Sequence, residues 1–140
     1  YTRLFVNAYP GIAAPPYGSF YLEGDGLTWG NTTLEVLEMY AQAGLEVAKH
    51  FHDVPDHVAV ELEFAWYLLK EKMQAELEGD HTRLTKMNTL EKRFLTSHLL
   101  RWAPRFFFLV ERETKLVFYR EVALVASDFV KRELETTRGS

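Results

Sequence analysis

The segment Asp53-Val-Pro-Asp-His57 and the apolar run from Val58 to Leu69 behind it decide the fold. The segment combines a turn, two carboxylates and an imidazole, and the run is apolar on nearly every side of a helix. A helix that is apolar almost all round is expected to be central in its domain. Aspartate is a favoured N-cap, so Asp53 or Asp56 is predicted to cap a long helix that begins here.

Helical periodicity extends from this stretch in both directions. The apolar spacing predicts helices over residues 1–7, 33–50, 55–78, 85–102, 106–110 and 116–135. Glycine, proline and aromatic residues predict an irregular loop over 8–32, Gly79-Asp80 is expected to end the central helix, and Pro104 is expected to interrupt the later ones. No useful length of the second half alternates with period two, so the predicted fold is an all-α, single-domain helical bundle.

The same spacing predicts which side of each helix is buried. In the helix over 33–50, which Thr32 or Thr33 can cap, the inward residues are predicted to be Leu34, Leu37, Tyr40, Ala41, Leu45 and Ala48. In the helix over 85–102 they are Leu90, Phe94, Leu95, His98, Leu99 and Trp102. In the last helix they are Val117, Phe118, Val122, Val125 and Phe129.

Length, charge and composition narrow the classes of function. The chain has 140 residues, the size of one domain, and 47% of them are hydrophobic. The net charge of −4 argues against nucleic acid as the main partner, because phosphate binding needs a basic patch. The absence of cysteine excludes disulfides and thiol chemistry and fits a reducing compartment. No run has the length of a membrane span, so stable membrane insertion is not expected.

The chain opens on Tyr1 inside a helix-like apolar pattern, with no initiator methionine, no cap and no secretory leader. We therefore expect the chain to be a fragment that begins inside a longer domain.

Patterns of catalysis and metal binding are not convincing. Gly24-x-Gly26-x-x-x-Gly30 has neither the spacing nor the preceding strand of a nucleotide-binding motif. His50-x-His52 near Asp53 and His57 only loosely matches zinc-ligand spacing. No serine stands in a nucleophile elbow. A binding protein is therefore favoured over an enzyme, and neither a metal nor a cofactor is expected.

Two acidic groups of residues have alternative interpretations. Asp53, Asp56 and His57 could bind a cationic or hydrogen-bonding ligand, but capping of the helix is the commoner use of aspartate at such a position. Glu61 and Glu63 either line an acidic groove that receives arginine side chains or occupy a solvated edge of the helix.

Four segments occur in a characteristic order, at residues 1–6, 15–21, 55–64 and 94–106. They read Tyr-Thr-Arg-Leu-Phe-Val, Pro-Pro-Tyr-Gly-Ser-Phe-Tyr, Pro-Asp-His-Val-Ala-Val-Glu-Leu-Glu-Phe and Phe-Leu-Thr-Ser-His-Leu-Leu-Arg-Trp-Ala-Pro-Arg-Phe. Together they resemble the TorD/DmsD/NarJ family of cytoplasmic chaperones, over nearly the whole chain. The resemblance implies an all-helical protein that binds the N-terminal, often twin-arginine, signal peptide of a molybdenum-cofactor oxidoreductase subunit. Such a chaperone holds its client until the cofactor is inserted, before export or assembly.

The resemblance also implies a location for the peptide. Pro55-Asp56-His57 matches the Pro-Asp-His segment of the family, and residues 16–21 match its aromatic loop, with Gly18 where many relatives carry glutamate. A receptor for a basic, apolar leader needs carboxylates beside an aromatic groove, which Trp29 could also line. The predicted peptide-binding residues are Pro16, Tyr17, Ser19, Tyr21, Asp53, Pro55, Asp56, His57, Glu61 and Trp66.

Two other functions stay open at this point. The chain could be an interaction module that binds the folded body of a partner subunit, or a helical protein that binds guanine nucleotides weakly. The resemblance also implies that residues 1–140 are a C-terminal part of the family domain that lacks its N-terminal helices. A second chain could supply their packing, and a domain-swapped homodimer is then open as well.

Overall fold

The computed structural model describes residues 13–23, 29–48 and 53–138. These ranges contain no strand, which confirms the all-α prediction. The helices are α1 (Gly18–Leu22), α2 (Asn31–Gln42), α3 (Val58–Glu78), α4 (His81–Phe94), a π-helical turn (Leu95–Leu99), α5 (Leu100–Glu113) and α6 (Val117–Arg138). The helix predicted over residues 1–7 lies outside the described residues. No helix in these ranges has the combination of length and apolar character that crossing a membrane requires.

The chain divides into two compact units. One comprises residues 17–99, and the other comprises residues 1–16 together with 100–140. The prediction of a single domain over 1–140 stays a prediction.

Aromatic rings connect the three long helices of the unit 17–99. The ring of Phe64 on α3 meets Tyr40 of α2 at 4.7 Å and Phe94 of α4 at 4.9 Å between centroids, both edge to face. Such pairs contribute about 0.5–1.5 kcal/mol beyond their buried area. The buried apolar residues around them are Val36, Met39, Leu68, Ala75, Met87, Leu90, Leu95 and Leu99.

A tight turn reverses the chain between α3 and α4. Gly79 ends α3 in the left-handed conformation, with φ of 70°, and Asp80 then caps α4 by accepting a hydrogen bond from Arg83 N at 2.9 Å. Arg83 forms ion pairs with Glu71 and Glu78 of α3. The prediction that Gly79-Asp80 ends the central helix is confirmed.

Helix α2 differs from its prediction in bounds and in orientation. It begins at Asn31 and ends at Gln42, and the N–H of Thr32 donates to Glu23 Oε1 at 2.6 Å, so an acidic side chain from the loop satisfies the helix start instead of Thr32 or Thr33. Leu34 is exposed, whereas Thr33 is fully buried. The buried face also contains Val36, Met39 and Tyr40. The buried face was predicted wrongly because the prediction used apolar residues only, and the buried threonines are polar.

The loop predicted over 8–32 contains α1, whose first N–H groups donate to Asp56, a residue far away in sequence. Proline 104 lies inside α5 and does not interrupt it, so that prediction was wrong. Its missing N–H would have paired with the carbonyl of Leu100, the first residue of α5. The helical assignment is in fact unbroken from His81 to Glu113. All six residues predicted to be buried in the helix over 85–102 are buried.

The other unit contains the pair α5 and α6, which pack together. Helix α5 buries Trp102, Ala103, Phe106, Phe107 and Val110 among others. The predicted inward face of α6 is wrong, because all its members are exposed and Ala123 is the buried apolar residue among the described part of that helix. The exposed members are Val117, Phe118, Val122, Val125 and Phe129.

Candidate functional site

The Pro-Asp-His segment is joined to the aromatic loop by a clasp, which we define as the contact of residues 17–19 with residues 55–57. The N–H of Gly18 donates to the Asp56 carbonyl at 2.9 Å, and the N–H of Ser19 donates to Asp56 Oδ2 at 2.6 Å. Tyr17 also meets the His57 ring edge to face, 5.4 Å between centroids. The fully buried Asp56 therefore satisfies the first N–H groups of α1, 37 residues away in sequence.

His57 caps the central helix, so the prediction that Asp53 or Asp56 does so was wrong. Its Nδ1 accepts a hydrogen bond from Ala59 N at 3.1 Å, and its backbone is extended. Partial burial lowers the pKa of His57, although the carboxylates of Asp53 and Asp56 act in the opposite direction. An unprotonated Nδ1 is what the cap requires, since a protonated nitrogen cannot accept.

One turn into α3, Glu61 is fully buried and hydrogen-bonded to the fully buried His98, with Oε1 and Nε2 2.7 Å apart. The ring of Phe94 stacks on the imidazole, 6.0 Å between centroids. Both interpretations of Glu61 from the sequence placed it at the surface, and both were wrong about its exposure. The pattern could not show a histidine 37 residues away that would compensate a buried carboxylate.

Tyr40 links the clasp to a cleft that lies beside it. Its hydroxyl donates to the carbonyl of Pro55 at 3.0 Å. Burial, together with the nearby carboxylates of Glu61 and Asp56, raises the pKa of Tyr40 well above its ordinary value. The hydroxyl therefore keeps its proton and remains a donor.

The ring of the same tyrosine lines an open cleft of about 350 Å³ between α3 and the irregular segment after α2. The hydroxyl of Tyr67 donates to Ala43 O at 3.4 Å, which ties that segment to α3. Glu46 and Glu63 supply carboxylates. No basic residue is among the described residues that line the cleft, although Lys70 Nζ lies over the ring of Trp66, 5.5 Å from its centroid. Its apolar lining includes Leu45, Val47, Val60, Phe64, Trp66 and Tyr67.

The predicted binding residues fall into two groups. Tyr17, Ser19, Pro55, Asp56 and His57 are brought together by the clasp. The other five are placed differently. Glu61 is buried against His98, Asp53 is exposed and bonds its own neighbour Val54, and Tyr21 is half-buried against Phe20. Pro16 is buried and belongs to the other unit, and Trp66 lies at the cleft. Whether any of the ten binds a peptide stays a prediction.

Sequence reasoning missed most of the cleft. Trp66 was a predicted binding residue and Glu63 a possible groove residue, but Tyr40 was predicted only to be buried, and Glu46 was not singled out. The relevant signal is the break of helical periodicity after Gln42, at Gly44, where φ is 83°. A helix continued to residue 50, as predicted, would have left no irregular segment to face α3.

Among the described residues, no group of three or more histidines and acidic side chains could hold a metal ion. His50 and His52 lie outside the described residues, so the loose zinc pattern is not tested there.

Comparison with known proteins identifies the family. The model for the nitrate reductase delta subunit matches residues 1–107, which is more than half of the chain. The chain belongs to this family. The delta subunit family match agrees with the resemblance to the TorD/DmsD/NarJ proteins, which is thereby confirmed.

Individual relatives of the nitrate reductase delta subunit family agree with this assignment. The chaperone protein TorD of Vibrio atlanticus is 28% identical over 126 residues, covering 90% of this chain and 57% of the relative. TorD of Photobacterium profundum is 30% identical over 103 residues, covering 74% and 46%. The chain thus spans about half the length of these curated relatives.

A solved structure has the same fold. It comes from a protein of Archaeoglobus fulgidus assigned to redox enzyme maturation, is 27% identical, and has a TM-score of 0.64. The match covers 94% of this chain and 63% of that one.

Proposed function

We propose that the chain is the peptide-reading part of a cytoplasmic, non-enzymatic maturation chaperone. In this proposal it binds the twin-arginine type signal peptide of a molybdenum-cofactor oxidoreductase subunit and holds that subunit for cofactor insertion before export or assembly. The family assignment and the relatives named as chaperones support this class of function.

The observation that carries the proposal is the pairing of an apolar cleft with the carboxylates of Glu46 and Glu63. A signal peptide joins a positively charged segment to an apolar one. A site for it therefore needs an apolar surface and negative charge within a few residues of each other, which Glu63 and Trp66 provide on α3.

A peptide titration tests the proposal. The probe is a labelled peptide of about 20 residues in which two consecutive arginines precede an apolar stretch. We expect the whole chain to bind it, a Lys-Lys version more weakly, and a scrambled version weakest, as measured by fluorescence anisotropy. Equal and negligible binding of all three would overturn the proposal. Retention of a client subunit that lacks its leader would favour an interaction module for the folded subunit instead.

We also propose that the chain associates with a second copy of itself through α6. Its exposed residues Phe118, Val122, Val125 and Phe129 follow a 4-3-4 spacing, which is the repeat of a helix seam that packs against a like helix. Exchange of helices between copies is one way to build such a dimer.

A further inference from the structure

We infer that the signal peptide contacts the cleft and not the Pro-Asp-His segment. In this inference Glu63 meets an arginine, Trp66 packs on the apolar stretch, and Asp56 acts as a positioning residue. The inference rests on the proposed function and assigns its contacts.

The acidic residues near the start of α3 differ in burial. Asp56 and Glu61 are fully buried. Asp56 Oδ2 accepts from Ser19 N and Glu61 Oε1 meets His98 Nε2, whereas Asp56 Oδ1 is buried without a hydrogen-bond partner among the described residues. A guanidinium could reach neither carboxylate unless the clasp or the core opened. Glu63 is two residues further along α3 than Glu61 and therefore points in a different direction, where it is exposed beside the cleft.

The charge and shape of the cleft favour one kind of ligand. Its lining residues are mostly apolar, with Trp66 60% exposed. Two of them, Glu46 and Glu63, are acidic, against the cation of Lys70 that lies over the Trp66 ring. An apolar segment preceded by a cation satisfies both properties, whereas an acidic or purely polar segment satisfies neither. A cleft of about 350 Å³ lies at the small end of ligand sites, so it takes a few side chains of the leader and not its whole length.

Tyr40 connects the clasp to the cleft, so a change in the clasp could alter peptide binding. Its ring forms part of the cleft, and its hydroxyl is held by the Pro55 carbonyl beside Asp56. A change that opens the clasp would therefore alter one wall of the cleft without removing any contact to the peptide.

The first experiment compares cleft variants with matched controls in the whole chain, using the twin-arginine peptide described above. Trp66→Ala should weaken binding about tenfold, as expected for a central aromatic contact, whereas Leu34→Ala, equally exposed on α2, should not. Glu63→Gln should weaken it about threefold, and Glu76→Gln, an exposed neutralisation on the same helix, should not.

The second experiment separates contact from positioning at Asp56. Asparagine keeps an oxygen that can accept from Ser19 N but removes the charge. If Asp56 only positions, Asp56→Asn should bind within about twofold of the wild type, while Asp56→Ala should bind more weakly and lose thermal stability. The charge effect of Glu63→Gln should also vanish when the peptide arginines are replaced by glutamine.

The outcomes are distinguishable. Wild-type binding by Trp66→Ala and Glu63→Gln, with loss in Asp56→Asn, would overturn the inference and leave the proposed function standing. Loss of self-association in Trp66→Ala with unchanged peptide binding would also overturn it, because the cleft would then be an interface between copies. Absence of binding by the wild type would overturn the proposed function itself.

Discussion

His57 caps α3 through Nδ1, and protonation of this nitrogen would remove the hydrogen bond. The Nδ1 atom accepts from Ala59 N, and partial burial lowers the pKa of the imidazole below its ordinary value of 6.5. As the pH falls through 6.5, the unfolded chain takes up this proton before the folded chain does. The contribution of His57 to stability is therefore present above pH 6.5 and is lost as the pH falls toward the lower pKa of the folded state.

A substitution isolates this effect. Asparagine can cap a helix but does not titrate in this range, so His57→Asn should keep most of the cap and remove the pH dependence that His57 contributes. The measurement is the free energy of unfolding in urea at several pH values between 7.5 and 5. A slope that is the same in the wild type and the variant would contradict the assignment of the cap to neutral Nδ1.

The buried pair of Glu61 and His98 gives a second prediction. Removal of one member leaves the other buried without its partner, so His98→Leu should lower the free energy of unfolding by about 3 kcal/mol. The double variant Glu61→Leu/His98→Leu should lose less than the sum of the two single changes, because it leaves no unpaired polar group. Glu76→Leu, an exposed control on the same helix, should change stability by less than about 0.5 kcal/mol. Additive losses would show that the two side chains do not depend on each other.

Among the elements, the reversal between α3 and α4 depends on one backbone conformation. Gly79 has φ of 70°, and a Cβ placed there would have open space around it. The cost of Gly79→Ala is therefore conformational, about 1 kcal/mol, and not steric. Thermal unfolding monitored by circular dichroism checks this, with the exposed substitution Gln74→Ala as the control in the same helix. An unchanged transition for Gly79→Ala would contradict the left-handed cap.

The elements also show what could be predicted from sequence. Leu90, Phe94, His98 and Trp102 were placed correctly because helical spacing continues through them, even across the π-helical turn. The buried face of α2 was misplaced because Thr33 is polar but buried. Periodicity reports the side of a helix that is apolar, and it does not report which neighbour covers that side.

The site was less predictable for a related reason. The segments that carry it could be recognised, but the partner of Asp56 is 37 residues away and the partner of Glu61 is equally distant. A carboxylate at a helix start is compatible with a ligand, a cap of its own helix, or a cap of another one. Only the fold distinguishes these, and here it selects the third for Asp56.

At the scale of the whole molecule, the exposed face of α6 predicts self-association. The wild-type chain should show a mass approaching two copies as its concentration rises, measured by light scattering after size exclusion. Phe118→Ser/Val125→Ser should shift it to one copy, because both changes remove apolar area from the same stripe. Arg120→Ser/Glu121→Ser, two exposed changes with no net change of charge, should behave as the wild type. A single-copy mass at every concentration of the wild type would contradict the dimer.

The clasp has a consequence for how genetic data on this protein should be interpreted. Under the proposed function, a library scored only for loss of client maturation would return Asp56 at high frequency, because alanine at Asp56 would remove the side chain that anchors the loop. Surface positions such as Glu63 would give partial phenotypes and could fall below the threshold. Ranking by severity would then point to the clasp rather than to the cleft, unless the abundance of each variant were recorded in the same cells.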